Sequence, residues 1–480
     1  VNLFIEIDSS SNLPLYKQVA NAIKDSIDSG RLQEGKAVPS TRQLSVHLGV
    51  SRITVVQSYE QLVSQGYLKV ITGTGTFVSR REKTQLPTSP TKANINHFSK
   101  RSLSQYGTRL IAGENQQNQA ETAFGLPPTQ LLPLRQWQKL LAKYCSSPEM
   151  LPLVAHEPLG CRPLREALAQ YLRRSRNLNC SAETIAVFAN AQQAVSLITQ
   201  LLIDSGDTVA VENPGFIGAH KTIRSIGAEA LAINVDENGL IVSELRANPT
   251  ACRAAYVTPS HQDPLGVTLS LQRRQELLTW AVENNSYIIE DDYGCEYRYG
   301  QPSLQAIQSL DRHESVVYIS SFWKLLYPIM PIGFIAAPPH LVPAITQAKQ
   351  LAELSFSLPE QLALAELLNE GHLEKHINKT QKQLAKWRQE LIMALTLAFG
   401  KDIAIARYSS GMHIAAQFHL ALSDDIISSA ADEAGLSVIS TKSYYLAEGK
   451  RGEFLISFAS QKNQNLTELV RQFAARIKAR

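Results

Sequence analysis

What is scarce in this chain narrows its function first. Its five cysteines, at positions 145, 161, 180, 252 and 295, are widely spaced and form no CxxC pair. That excludes a disulfide framework and a thiolate zinc site, and it suits a reducing compartment. A surplus of either charge is also missing: 47 basic residues face 43 acidic ones, and the whole-chain average gives no hint of a nucleic-acid binder. Long apolar runs are absent. The most apolar stretch, 316–338, is interrupted by Lys324, Pro328 and Pro331, whereas a membrane span needs about 20 nearly uninterrupted apolar residues. It is expected to be buried core. The opening VNLFIEIDSSS has no basic region followed by a long apolar run, so no signal peptide is expected and the chain is assigned to the cytoplasm. His47, His97, His156, His220 and His261 lack metal-ligand spacing; they are expected to be structural or solvated, and no metal site is expected.

What is present is a globular composition, 44% hydrophobic and 19% charged over 480 residues, enough for two to four domains. Residues 81–122 are rich in Ser, Thr, Asn and Gln and show little periodicity. They read as a flexible linker between a first domain, 1–80, and a second, 123–480. From Phe124 onward, short apolar runs such as TIAVFAN, AAYVTPS, YIIEDDY and VVYISS alternate with helical patterns. That alternation predicts an α/β fold with a mostly parallel sheet.

In the first domain, Tyr16, Val19, Ile23 and Ile27 mark one helix face, and Gly30 ends that helix. Ser40 can cap a second helix and Ser51 a third, with Gly49 as the turn between them. Two short helices joined this way are a helix-turn-helix. The next segment, YLKVITGTGTFVSRR, predicts a hairpin with Gly73-Thr74-Gly75 at its tip, a wing. The first 83 residues carry ten Lys/Arg and seven Asp/Glu, a net of +3 of the chain's +4. The surplus charge thus sits where phosphate contacts would need it. The segment from PLYKQV through PSTR, LGVSRITV and GTGTFV resembles the GntR family of winged-helix regulators. The resemblance implies that Arg42, Arg52 and Thr54 contact bases or phosphates. It also implies that the helix beginning at Ser51 enters the major groove of double-stranded DNA and that Gly75 and Thr76 place the wing in the minor groove.

The second domain offers what a pyridoxal phosphate fold needs: a lysine for the aldehyde, a carboxylate for the ring nitrogen, a phenol for the ring oxygen and small polar groups for the phosphate. Asp291 ends an apolar strand and Tyr293 stands two residues on. Lys324, the sole lysine between 222 and 348, comes just after the strand VVYISS. LGCRPLREALAQYLRRSR, NAQQAV, VENPGFIGA, VTPSHQDPLGVTLSLQRR, EDDYGCEYRY and FWKLLYPIMPIGFIAAP resemble the fold type I aminotransferases. More closely, the chain resembles the MocR/GabR-type subgroup of GntR regulators. The resemblance implies a winged helix-turn-helix joined to an aminotransferase-like domain that binds pyridoxal 5'-phosphate through a Schiff base to Lys324. Asp291 would pair with the ring nitrogen, Tyr293 would bind the ring oxygen and Phe216 would stack on the ring. Ala191, Gln192 and Ser321 would hold the phosphate.

Departures from the family pattern shape the expected function. Trp323 stands where a serine is usual, and Pro331 where a phosphate-binding arginine is usual. Asp263, counted with the cofactor pocket, replaces an aromatic residue, and Asn190 replaces a glycine. Leu455 replaces the arginine that clamps a substrate carboxylate, and leucine cannot supply bidentate recognition. Turnover of ordinary α-amino acids is therefore not expected. The expected function is a DNA-binding regulator, a head-to-tail homodimer, that senses the cofactor or a small amine effector and touches no membrane. The alternatives are an active aminotransferase with an appended DNA-binding domain and a DNA-binding regulator with a vestigial, cofactor-free pocket.

Overall fold

The computed structural model describes residues 5, 7, 13–79, 103–112, 124–147, 157–300, 305–353, 357–406, 410–459 and 465–480. The chain divides into two compact units, Val1–Ser102 and Leu103–Arg480.

The smaller unit is a winged helix. Helix α1 (Leu15–Asp28) buries Val19, Ala20 and Ile23. Helix α2 (Thr41–Leu48) starts in a capping box, with the Ser40 hydroxyl accepting from the Gln43 amide and the Gln43 side chain accepting from the Ser40 amide. It ends at Gly49, whose φ of +66° is the left-handed turn that glycine adopts without strain. Helix α3 (Arg52–Ser64) is capped by Ser51. Strands β1 (Leu68–Ile71) and β2 (Gly75–Val78) pair antiparallel as the wing, with Leu68 opposite Val78. Val19, Ile23, Leu44, Val55, Leu62 and Val78 join one core across these elements.

Most of the segment expected to be a linker lies outside the described residues. Within it, however, helix α4 (Gln105–Ala112) forms. Its apolar Tyr106, Leu110 and Ile111 are exposed, and the surrounding Ser/Gln-rich composition hides this short run in the sequence.

The larger unit is built on an eight-stranded sheet of order β3-β10-β9-β8-β7-β4-β5-β6. Its strands are β3 (Ile185–Phe188), β4 (Thr208–Asn213), β5 (Glu229–Asp236), β6 (Gly239–Leu240) and β7 (Ala254–Val257). They continue with β8 (Tyr287–Asp291), β9 (Val316–Ser321) and β10 (Gly333–Ala336). Strands β5, β4, β7, β8 and β9 run parallel, while β10 is antiparallel to both β3 and β9. β9 and β10 are buried along their whole length, as expected for core. Such unbroken burial comes from helices covering both sheet faces. Helices that position the site are α5 (Arg162–Arg176), α6 (Ala191–Leu202), α7 (Ile217–Ser225) and α8 (Trp323–Leu326). A separate antiparallel sheet, β11 (Ile403–Ile405), β12 (His413–Phe418), β14 (Glu453–Ser457) and β13 (Val438–Ser440), packs with C-terminal helices.

Candidate functional site

Strands β8 and β9 lie side by side, and Asp291 pairs with Ile319 in register. Their carboxyl ends therefore deliver Asp291, Tyr293, Ser321 and Lys324 to one edge of the sheet, where open α/β folds hold ligands. Asp291 Oδ2 accepts a 2.5 Å hydrogen bond from the Tyr256 hydroxyl, whereas its Oδ1 is buried without a hydrogen-bond partner. Burial pushes the Asp291 carboxyl up to about 7, against the pull of the Tyr256 hydrogen bond. Tyr293 Oη is likewise buried, close to the Asp263 carboxyl. The Lys324 ammonium donates to the Gly125 carbonyl at 3.0 Å and stands 6.0 Å from the Tyr293 ring centre. Burial pushes its pKa down, opposed by the charge of Asp263. Asp263 is itself raised by burial to about 6, held back by the charge of Lys324 and by the Tyr293 hydroxyl.

The start of α6 faces the same edge. Asn190 caps it by accepting from the Gln193 amide at 2.9 Å. The amides of Ala191 and Gln192, in the first turn, have no acceptor within the helix. A side chain at Gly333 would stand 2.5 Å from the Ala191 nitrogen, so glycine there lets β10 approach the helix start. Gly333 in turn pairs with Ser321 across the sheet. Phe216 caps α7, and its ring lies 6.5 Å from that of Tyr256 at 23°. The residues expected to hold a cofactor, Lys324, Asp291, Tyr293, Phe216, Ala191, Gln192, Ser321 and Asp263, are thus linked through neighbouring contacts. Pro331 offers no cation for a phosphate.

Several site residues escaped the sequence reading. Tyr256, inside AAYVTPS, had no signal beyond its place in a strand. Arg176 belongs to a helix expected to carry solvated charges, yet it is 5% exposed and pairs with Asp292 at 2.7 Å. Its Nη2 donates to the Ser260 hydroxyl at 2.8 Å. Burial works against the Asp292 charge, but Arg176, Ser260 and Tyr318 prevail and hold its carboxyl low. His261 is also fully buried, but beside Lys324 rather than in remote core, with its ring 5.2 Å from that of His413. Leu455 is buried in an apolar cluster with Phe124, Ala415, Ile439 and Tyr444. The position where the resemblance implies an arginine is therefore a packed leucine.

On the smaller unit, Arg42, in the first turn of α2, and Ser51 and Arg52, at the start of α3, are exposed. The Ser51 hydroxyl accepts from the Thr54 amide at 3.1 Å and bonds the Thr54 hydroxyl at 2.8 Å, so both residues also build the helix start. Gly75, at φ +137°, and Thr76 open strand β2 beside the hairpin tip. The helix-turn-helix presents an arginine on each side of its turn.

Residues 15–78 match the family described as bacterial regulatory proteins, gntR family, and residues 158–473 match aminotransferase class I and II. The chain is 32% identical over 437 residues to the probable rhizopine catabolism regulatory protein MocR of Rhizobium meliloti, covering 90% of this chain and 87% of that one. It is 28% identical to the pyridoxine biosynthesis transcriptional regulator PdxR of Corynebacterium glutamicum, covering 94% and 93%. Among solved structures, LysN, an α-aminoadipate aminotransferase from Thermus thermophilus, superposes with a TM-score of 0.70 at 24% identity, over 78% of this chain and 97% of that one. A kynurenine aminotransferase from Pyrococcus horikoshii gives 0.68 at 23% identity, over 81% and 96%. These two show the fold alone. With both modules matched in order and a relative above 30% identity along nearly the whole chain, this protein belongs to the MocR-type DNA-binding transcription regulators, a GntR-family helix-turn-helix joined to an aminotransferase class I and II domain.

Proposed function

We propose that the larger unit takes up pyridoxal 5'-phosphate at Lys324, and that the cofactor, or a small amine meeting it there, is the signal passed to the DNA reader. The observation that carries this reading is the buried, partnerless Asp291 Oδ1 at the strand end that also brings Tyr293 beside the partly buried Lys324. A buried polar atom without a partner costs about 1–3 kcal/mol, and a protonated ring nitrogen would satisfy Asp291 Oδ1. Asp291 would hold the positive charge of that nitrogen, and Tyr256 would keep the carboxylate aimed. Tyr293 would bond the ring oxygen, and Phe216 would cover the ring face. The free amides of Ala191 and Gln192, with Ser321, would bind the phosphate. When bound, the cofactor supplies an electron-withdrawing ring and an aldehyde that joins amines. A relative named for pyridoxine biosynthesis supports this reading.

On the DNA side, the start of α3 would enter the major groove, with Arg42 and Arg52 on phosphates or base edges and Thr76 at the wing. Two chains paired head to tail would fix the spacing of two half-sites, and ligand-dependent rearrangement would change it. The test is the absorbance spectrum of the purified protein before and after adding pyridoxal phosphate. The expected result is a bound-pyridoxal band that Lys324→Ala abolishes. A band that persists in that variant, or none in the parent, overturns the assignment.

A further inference from the structure

A small cavity opens beside Lys324, lined by His261, Tyr293, Tyr297, Gly411 and His413. Its volume is about 10 Å³, room for roughly one water-sized group. Hydrogen-bond partners fix how its walls are protonated. His413 Nε2 lies 2.8 Å from the Pro264 carbonyl. A carbonyl can only accept, so Nε2 carries the proton and Nδ1 keeps its lone pair. His261 Nδ1 lies 2.8 Å from the Ser410 hydroxyl, which itself donates to the Gly266 carbonyl at 3.1 Å. That hydroxyl must accept from His261, so Nδ1 is the donor and Nε2 keeps the lone pair. Burial pushes both imidazoles well below the ordinary range, His413 to about 4, and the charge of Lys324 adds to this. Both rings are therefore neutral near pH 7.

Gly411 leaves His261 Nε2 uncovered, since a side chain there would stand 2.5 Å from that nitrogen. His413 Nδ1 lies 4.0 Å from where a Gly125 side chain would begin, on the segment that holds Lys324. Tyr297 meets the cavity through its backbone, its carbonyl accepting from the Gly411 amide at 2.9 Å. The cavity thus presents two acceptor nitrogens. Next to it, Leu455 and its neighbours close the place of a carboxylate clamp with apolar surface. A carboxylate entering here would meet both lone pairs, against the pull of the Lys324 and Arg298 charges. An alcohol would donate to one of the two imidazoles.

We propose that the effector of this pocket is a small amino alcohol without a carboxylate, its hydroxyl seated in the cavity between His261 and His413 while its amine reaches Lys324's position. This rests on the reading of the Lys324 pocket as the effector site. A site built to bond a hydroxyl rejects the analogue that lacks it, because its own polar groups are then left unpaired.

The test is calorimetric titration of the full chain, with and without pyridoxal phosphate, using 3-amino-1-propanol, propylamine and β-alanine as probes. The expected result is at least tenfold tighter binding of the amino alcohol than of either other probe. His413→Phe, which keeps a ring but removes the acceptor, should abolish that preference, and His413→Asn should restore part of it. His261→Gln gives a second acceptor-bearing variant if the phenylalanine variant fails to fold, and it should retain the ranking. Equal or tighter binding of β-alanine or propylamine, no binding of the amino alcohol in either form, or a ranking unchanged in His413→Phe overturns the proposal. A flat ranking in protein that shows the pyridoxal band overturns this inference alone, whereas an absent band overturns the cofactor reading.

Discussion

In the smaller unit, the residues proposed to act lie on the surface between positions 42 and 76, and their neighbours in space are their neighbours in sequence. In the larger unit, Tyr256, Asp291, Tyr293 and Lys324 come from two strands and the segments that follow β8 and β9, and the polar atoms of Asp291 and Tyr293 are buried. The first arrangement works by exposed charge, which water and salt screen. The second works by charge held away from water, where each missing partner is expensive. Substitutions should therefore show in DNA affinity for one unit and in folding stability for the other.

The largest expected effect tests the buried side. Asp291 and Asp292 are adjacent, yet one has a cation and the other waits for one. Arg176→Ala would leave Asp292 charged, buried and unpaired, at about 3–5 kcal/mol of stability. Chemical denaturation of the cofactor-free protein measures it. A loss below about 1 kcal/mol would show that water reaches the pair.

Asp291→Asn should act in the opposite direction in the cofactor-free protein. The folded state raises this carboxyl from 3.8 to about 7, so it holds its proton more tightly than the unfolded chain. The stability tied to that proton is fully present below about pH 4 and is lost as pH rises through about 7. The variant should therefore be more stable than the parent at pH 8, by about 1–3 kcal/mol, with a flatter melting profile between pH 4 and 7. Its affinity for pyridoxal phosphate should fall, because an amide cannot balance the ring nitrogen's charge.

How much of this was legible in the sequence obeys the same division. The winged helix could be read almost to the residue, because caps such as Ser40 and Ser51 and the turn at Gly49 act over three or four positions. The strand ends bearing Asp291 and Lys324 were legible too, since an apolar run announces a buried strand and the residues just after it must lie at the sheet's edge. Arg176 was not. It looks like any other charge of LRRSR, and only a fold that brings Asp292, 116 residues away, against α5 explains its burial. His261 and His413 were hidden for the same reason: 152 positions apart, they meet only because the antiparallel sheet docks at the end of β7.

On the exposed side, Arg52→Ala should weaken operator binding roughly tenfold and reduce the slope of log affinity against log salt by about 1. The melting temperature should not change, since Arg52 is solvent-exposed and no ion pair of it is found among the described residues. Binding measured at several salt concentrations distinguishes a phosphate contact from a base contact. A base contact would leave the slope unchanged and relax sequence preference.

The smallest effect falls where the two plans meet. Ser51 is exposed, but its hydroxyl satisfies the Thr54 amide at the start of α3 and touches the Thr54 hydroxyl. Ser51→Ala should cost about 1 kcal/mol of stability through the lost cap, and it should weaken DNA binding only as far as the first turn of α3 frays. Ser51→Asp would keep the cap and add a negative charge favoured by the helix dipole, yet it would place that charge where DNA phosphates are proposed to lie. Stability should then be retained while affinity falls. If Ser51→Asp instead binds DNA as well as the parent, the start of α3 does not face the phosphate backbone, and the reading of that helix as the element entering the groove fails.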